Sequence, residues 1–318
     1  MRGPRRARRR PPCAADDDPR SGEISAALLG PTLLGLDIGG SASRARLRGN
    51  ARADLDVEGP GANVATLDAE LVDDRLTTLL GKLGHIRPSA CCAGAAGAEI
   101  PAGRTRLEKL LERLLPDCRL SVVHDARLVL AAAGVDEGIA LVAGTGSVAY
   151  GRTRKGREAQ RGGWGWMVGD EGGGVWITRE AARKVLGRAD AGLPLGSLGD
   201  GLLAACHARD PRQLTAALHS RLEPMEWAGL ASAVFDAADS DPGAEEIIRR
   251  AAGELGTLVR ELRQSLAVDG PVVLAGGLLL NQARLETAVR KELASPCVRL
   301  ERPPVEGALR LAGELLRQ

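Results

Sequence analysis

The sequence predicts an α/β protein of two similar halves, each a mixed sheet flanked by helices. Two observations carry that prediction. Thr32 to Gly40 (TLLGLDIGG) is an apolar run that ends in a glycine turn and is followed by Ser41 and Ser43; Ile139 to Ser147 (IALVAGTGS) has the same form. After each turn come two stretches of alternating apolar and polar residues, the pattern of antiparallel strands. The repeat period, about a hundred residues, is too long for a solenoid and suits two related lobes.

The remaining elements follow in order. Ala45, Leu47, Leu55 and Val57 mark the two strands after the first turn. Leu67, Leu71, Val72, Leu76, Leu79, Leu80 and Leu83 share one helical face, and Pro88 precedes a small-residue strand, SACCAGAAGA. Leu107, Leu110, Leu111, Leu114 and Leu115 make a second helix. Leu120 to Val123 form a strand that ends at His124-Asp125, ahead of the helix ARLVLAAAG. In the second half, VAYGRT and REAQRGG flank an Arg-Lys-Gly turn. A helical middle runs from Trp176 to Leu186 and then from Leu202 to Leu218 and beyond, and Glu245 to Leu266 reads as one long helix. Then come a strand at Pro271 to Leu274, Gly276-Gly277, a helix from Asn281 to Leu293, a strand at Cys297 to Leu300 and a last helix from Glu306 to Leu316.

Composition narrows the function classes. With 318 residues and 44% hydrophobic content, two lobes with real cores are expected. A net charge of +2 gives no reason to invoke nucleic acid, and four Trp, one Tyr and one Phe leave little for stacking bases. The six cysteines (Cys13, Cys91, Cys92, Cys118, Cys206, Cys297) contain no C-x-x-C pair and read as reduced thiols of a cytoplasmic protein. The basic block Arg2 to Arg10 reads as a disordered tail over residues 1–31 or an upstream start, with a nucleic-acid or targeting arm as the other reading. No window reaches the roughly 20 apolar residues of a membrane span.

The densest functional signal lies between Gly144 and Gly174, where Gly144-Thr145-Gly146-Ser147, Gly162-Gly163-Trp164-Gly165 and Gly169-Asp170-Glu171-Gly172-Gly173-Gly174 crowd together. Such glycine density is entropically expensive, and a polyanion or sugar lying against the main chain would explain it. Asp37, at the end of a buried strand, can face hydrated Mg²⁺ while the Gly39 and Gly40 amides reach phosphate oxygens, or it can cap a tight turn. A matching turn in the other half favours the first reading, because two facing loops can clamp a triphosphate. Asp125, between strand and helix, suits either an N-cap or a base accepting a proton from an attacking hydroxyl. Asp170 and Glu171 can accept hydrogen bonds from sugar hydroxyls under a Trp164 or Trp166 cover, or form a solvated acidic loop. Asn63 is a loop or capping residue on its own, and Gly276-Gly277 either admits a flat ring or makes a strand-to-helix turn. His124 reads as a spectator.

Taken in order, D-x-G-G-S, Asn in a glycine loop, V-x-D-A, G-T-G-S, G-G-W-G, G-D-E-G and a late A-G-G resemble the BadF/BadG/BcrA/BcrD ATPase and N-acetylglucosamine kinase family of the sugar kinase/Hsp70/actin superfamily. The resemblance spans about Leu33 to Leu316. It implies two ribonuclease-H-like lobes, 32–135 plus 304–318 and 136–303, with the last helix returning to the first and MgATP and a hexose held in the cleft. It assigns Gly39, Gly40 and Ser41 to one phosphate loop and Gly144, Thr145, Gly146 and Ser147 to the other. Asp37 falls near the metal, Asp125 at the catalytic base, and Gly276 and Gly277 at the adenosine loop. Asn63, Thr145, Trp164, Gly165 and Asp170 fall at the amino-sugar pocket. The chain departs from the family at Ile38, Ser41 and Ala42 in the first loop and at Gly173, where a hydroxyl residue is usual. The activity implied is ATP-dependent phosphorylation of O6 of N-acetylglucosamine or glucosamine. The alternatives are a kinase for N-acetylmuramic acid and an ATPase activator of a 2-hydroxyacyl-CoA dehydratase. A homodimer is left open.

Overall fold

The structure, a computed structural model, describes residues 30–49, 52–221 and 223–317. The basic block and Cys13 lie outside the described residues. Ten strands form two five-stranded mixed sheets. The first sheet contains β1 (Leu33–Ile38), β2 (Ala42–Gly49), β3 (Arg52–Pro60), β4 (Ala90–Ala95) and β5 (Arg119–His124), in the spatial order β3-β2-β1-β4-β5. The second contains β6 (Gly138–Ala143), β7 (Ser147–Arg152), β8 (Glu158–Gly162), β9 (Val272–Ala275) and β10 (Cys297–Arg299), in the order β10-β9-β6-β7-β8. Each sheet starts with its central strand, adds two antiparallel strands on one side and two parallel strands on the other. The two orders are the same order, so the duplication read in the sequence is a duplication of topology.

Helices α1 (Ala69–Gly81), α2 (Pro101–Leu114) and α3 (Asp125–Ala132) belong to the first half. On α1, Val72, Leu76, Leu79 and Leu80 are buried, the i, i+4, i+7, i+8 spacing of a single stripe. The second half carries α4 (Gly174–Asp190), α5 (Gly196–Ala205), α6 (Pro211–His219), α7 (Pro224–Gly229), α8 (Ser232–Ala237), α9 (Pro242–Leu266), α10 (Gly277–Asn281) and α11 (Ala283–Leu293). The helical middle is therefore broken where one run from Leu202 to Leu218 was expected. His207 adopts φ 53°, and Asp210 caps the next helix by accepting from the Gln213 amide at 2.9 Å, with Pro211 opening its first turn. The expected helix from Asn281 likewise divides at Gln282, whose extended backbone separates α10 from α11.

The last helix, α12 (Pro304–Leu315), returns to the first sheet. Ala308 and Ala312 share a core with Ala90, Cys92, Val123 and Leu128. Contact is close because β1 has a glycine here: a Cβ on Gly35 would stand 2.8 Å from the Val305 carbonyl oxygen. Among the described residues no helix is long and apolar enough to cross a membrane.

Candidate active site

Both glycine turns are built the same way. In the first, the Gly39 amide donates to the Ala42 carbonyl at 3.0 Å, and a second loop clasps it: Gly61 N–H bonds the Ser41 carbonyl at 3.2 Å and Ala62 N–H that of Gly39 at 3.0 Å. In the second, the Gly144 amide donates to the Gly146 carbonyl at 2.9 Å. Gly174 and Val175, at the start of α4, bond the Gly144 and Thr145 carbonyls at 2.9 and 3.1 Å. Much of the glycine density is explained by main chain packing on main chain rather than by a ligand. A Cβ on Gly61 would lie 2.0 Å from the Gly40 carbonyl oxygen, and one on Gly173 would lie 2.7 Å from the Gly146 carbonyl carbon. The glycine that replaces the family's usual hydroxyl residue is thus required by packing. Gly40 and Gly165 are different, since a Cβ there would meet nothing within 4 Å.

The two clasped turns face each other across a cavity of about 300 Å³ lined from both halves. Gly40, Ser41, Asn63 and Asp125 come from the first half; Gly144, Thr145, Gly146, Ser147, Gly165 and Asp170 come from the second. Among the described residues no backbone carbonyl takes the Gly40, Ser41, Thr145 or Gly146 amide. A hollow of about 1020 Å³ lies elsewhere, between α9 and α11, but it is open to solvent, and two of its arginines, Arg260 and Arg284, pair with its Glu292 and Glu245. Size alone would choose that hollow; glycine turns and carboxylates choose the smaller cavity.

Asp37 sits at the end of β1. Burial and the neighbouring Asp125 charge push its carboxyl up to about 7, against the opposing pull of Arg44. Asp125 opens α3 at its first residue, where its Oδ1 accepts from the Ala126 amide at 2.7 Å. The N-cap role considered for it belongs to His124. Asn63 Oδ1 accepts from the Ala65 and Thr66 amides at 2.9 and 3.2 Å, so the local turn and the cavity wall use the same residue. Asp170 adopts φ 57° and folds over Gly146, with Oδ1 taking the Gly165 amide at 3.2 Å. Burial raises its carboxyl, and the Gly165 bond partly offsets this. The Ser147 hydroxyl is turned away to the Glu171 carbonyl at 2.7 Å.

Five expected residues stand outside the cavity lining: Asp37 and Gly39, at and just past the end of β1, and Trp164, Gly276 and Gly277. Trp164 is 78% exposed, beside Met167 and Val168, because Gly163 and Gly165 turn the chain at positive φ on either side of it. Gly276 and Gly277 lie behind the second turn. Gly276 takes φ 93° with its Cα against the Ala143 backbone, and the Gly277 amide nitrogen lies 3.9 Å from the Cβ position of Gly144.

His124, read as a spectator, is part of the wall. Its Nε2 donates to Gln160 Oε1 at 2.6 Å, and its ring stacks on Tyr150 with centroids 5.1 Å apart. Its Nδ1 lies 3.0 Å from the Ala126 amide and 3.0 Å from Asp125 Oδ1. Burial opposes the charged imidazole, yet Asp125, Glu99 and Gln160 outweigh it and raise the pKa. Gln160 is held in turn by the Gly162 carbonyl at 3.1 Å, so the pair ties β5 of one sheet to β8 of the other. Glu99 and Gln160 also went unnoticed. Alternation along β8 placed Gln160 on one face, but only the docking of two sheets says what that face meets.

Among the described residues the thiols give no candidate metal centre. Cys91 and Cys92 are buried in β4, and burial pushes Cys92 up to about 12. Among the described residues no three His, Cys, Asp or Glu side chains converge as a metal-binding group.

Comparison with known proteins places the fold. The BadF/BadG/BcrA/BcrD ATPase family model matches residues 34–309. The N-acetylmuramic acid/N-acetylglucosamine kinase of Clostridium acetobutylicum is 31% identical over 275 residues, which is 82% of this chain and 90% of the relative. A crystal structure from Chromobacterium violaceum, provisionally named N-acetylglucosamine kinase, superposes with TM-score 0.71 at 26% identity, covering 89% of this chain and 99% of the other. The ROK hexokinase of Thermus thermophilus shares the fold at TM-score 0.51 and 18% identity, covering 90% and 100%. The two mixed sheets are the two ribonuclease-H-like lobes of the actin-like ATPase fold, with the cleft between them.

Proposed function

The chain belongs to the BadF/BadG/BcrA/BcrD ATPase family, and from that premise we propose that it is an ATP-dependent amino-sugar kinase acting on O6 of N-acetylglucosamine or glucosamine. One observation carries this reading: Asp125 and both glycine turns line a single cavity between the sheets. Residues 32–135 with 304–318 form one jaw, and 136–303 the other.

The donors fit a triphosphate. Gly40, Ser41, Thr145 and Gly146 all line the cavity with amides that no backbone carbonyl takes among the described residues, and oriented N–H groups are the standard means of holding phosphate oxygens. Gly39 shapes the first of these turns, the Ser147 hydroxyl braces the second, and Gly276 and Gly277 offer bare backbone beside Gly144 for the adenosine. The residues also fit Mg²⁺. Asp37 and Asp125 oppose each other's charge, which a divalent cation relieves, and Mg²⁺ prefers few protein carboxylates with water and phosphate completing its shell. Asp37 would hold it. When bound, the ion neutralises charge on the β- and γ-phosphates.

The chain's own residues supply positioning and a proton acceptor. Asn63 and Asp170 flank the cavity and hold the sugar, with Thr145, Gly165 and Trp164 completing the pocket as the loop carrying Trp164 closes. Asp125 takes the proton from the 6-hydroxyl as that oxygen attacks phosphorus. Holding two reactants in line within a desolvated cleft provides a large part of the acceleration.

ADP release across a panel of hexoses tests this, with the product's phosphate position read by NMR. Turnover should require ATP, Mg²⁺ and an amino sugar, and the product should be the 6-phosphate. Asp125→Asn should remain folded and lose about 10²–10⁴-fold in kcat, the usual contribution of a general base. Near-normal turnover in that variant would remove Asp125 from the mechanism.

A further inference from the structure

The cavity has an unusual charge inventory for a site that receives anions. Its ionisable wall groups are Glu99, Asp125, Asp170 and His124; among the described residues no Lys or Arg lines it. Several guanidinium groups of the surrounding elements have partners of their own. Arg106 donates to the Val64 carbonyl, Arg179 to the Trp166 carbonyl, and Arg161 pairs with Glu261. His124 spends Nε2 on Gln160 and sits between Asp125 and Glu99, whose Oε2 is 3.7 Å from that nitrogen, so any positive charge it carries is already met by acids. Phosphate groups can still enter, because they bring their own cation and meet free amides. A substrate carboxylate has neither advantage.

On the amino-sugar reading, we propose that this wall excludes amino sugars bearing a carboxylate, such as the 3-O-lactyl sugar N-acetylmuramic acid, and that Glu99 is a specificity-determining residue for that exclusion. Carboxylate recognition normally requires an Arg fork or a Lys. A substrate carboxylate brought beside Glu99 would meet like charge, with no Lys or Arg of the described wall to offset it. Glu99 is the one acid of the wall that neither the proton transfer nor the sugar contacts employ. It lies between β4 and α2, with its side chain 41% exposed toward the cleft. An ammonium or acetamide at C2 meets no such penalty, so glucosamine and N-acetylglucosamine are both admitted.

The test measures kcat/KM for N-acetylglucosamine and N-acetylmuramic acid on the full chain, in the wild type, Glu99→Gln and Glu99→Arg. In the wild type the neutral sugar should lead by at least about 100-fold, equivalent to about 2.7 kcal/mol at 1.36 kcal/mol per decade. Glu99→Gln should narrow that ratio, and Glu99→Arg should narrow it by about tenfold or more. Each ratio comes from one preparation, so partial misfolding cancels. If Glu99→Arg turns over neither sugar, calorimetric binding of N-acetylmuramic acid to Glu99→Gln decides instead, and affinity no higher than in the wild type overturns the proposal. Comparable wild-type values for the two sugars, or a ratio unmoved by Glu99→Arg, overturn it as well and leave the kinase reading standing. Absence of turnover on every amino sugar overturns the kinase reading itself.

Discussion

Asp37 shows how one side chain can trade stability for chemistry. Its carboxyl is pushed up to about 7 by burial and by Asp125, so the folded state favours its protonated form. That contribution is present below the ordinary carboxylate pKa and is lost as pH rises through about 7. Between pH 5.5 and 8 the loss is about 2 kcal/mol for such a shift. Asp37→Asn should therefore raise the apo melting temperature at pH 8 and flatten its pH dependence in calorimetry, while abolishing Mg²⁺-dependent turnover. Asp241 works in the opposite sense. It caps α9, and both of its oxygens meet Arg188 at 2.7 Å in a pair where Asp241 is 3% exposed. The Arg188 bond holds its carboxyl well below the usual range, so the stabilisation is present above about pH 4 and disappears as acid protonates it. Asp241→Asn should cost about 1.5–3 kcal/mol at neutral pH, because it removes the charge that the half-buried Arg188 guanidinium meets. Urea denaturation followed from pH 7 down to about pH 1 measures the loss and its fading, since the folded-state carboxyl titrates well below the usual range.

At the scale of elements, the glycine turns do two jobs that look alike in sequence. Gly61 and Gly173 let one loop lie on another, whereas Gly40 faces open space. Gly61→Ala should lose about 1–3 kcal/mol of stability by overpacking, whatever ligand is present. Gly40→Ala should melt like the wild type and raise the KM for ATP severalfold, because its methyl group enters the space reserved for phosphate. Equal ATP affinity in Gly40→Ala would mean that no phosphate approaches that amide. The strands and helices themselves were largely legible in the chain, since buried runs such as LLGLDI and the stripe on α1 carry their period in the sequence. Where the reading failed, at His207 and Gln282, the break is a single residue's backbone conformation inside a helical composition.

For the whole molecule, the cleft is the functional unit, because both halves of the chain contribute to its lining. A non-hydrolysable ATP analogue with Mg²⁺ and an amino sugar should together raise the melting temperature by more than the sum of their separate effects. Each ligand fixes the sheet-to-sheet geometry that the other needs, which is positive coupling through a shared conformational equilibrium. Strict additivity would place the two ligands in uncoupled sites. The His124–Gln160 bond, which joins the two sheets beside Asp125, makes such coupling physically direct.

By itself the chain determined its elements, its duplication and the chemical types at the turns, because hydrophobic period and glycine spacing act over a few residues. Asp125 and both G-rich turns could be picked out on those local grounds, whereas Asn63 was assigned only by the family resemblance. Tertiary structure alone decided that Glu99, His124 and Gln160 share a wall with them, that Trp164 points outward, and that several glycines serve backbone packing rather than a ligand. Those facts depend on how two sheets dock, and docking is fixed by contacts between residues far apart in the chain, which no local pattern records.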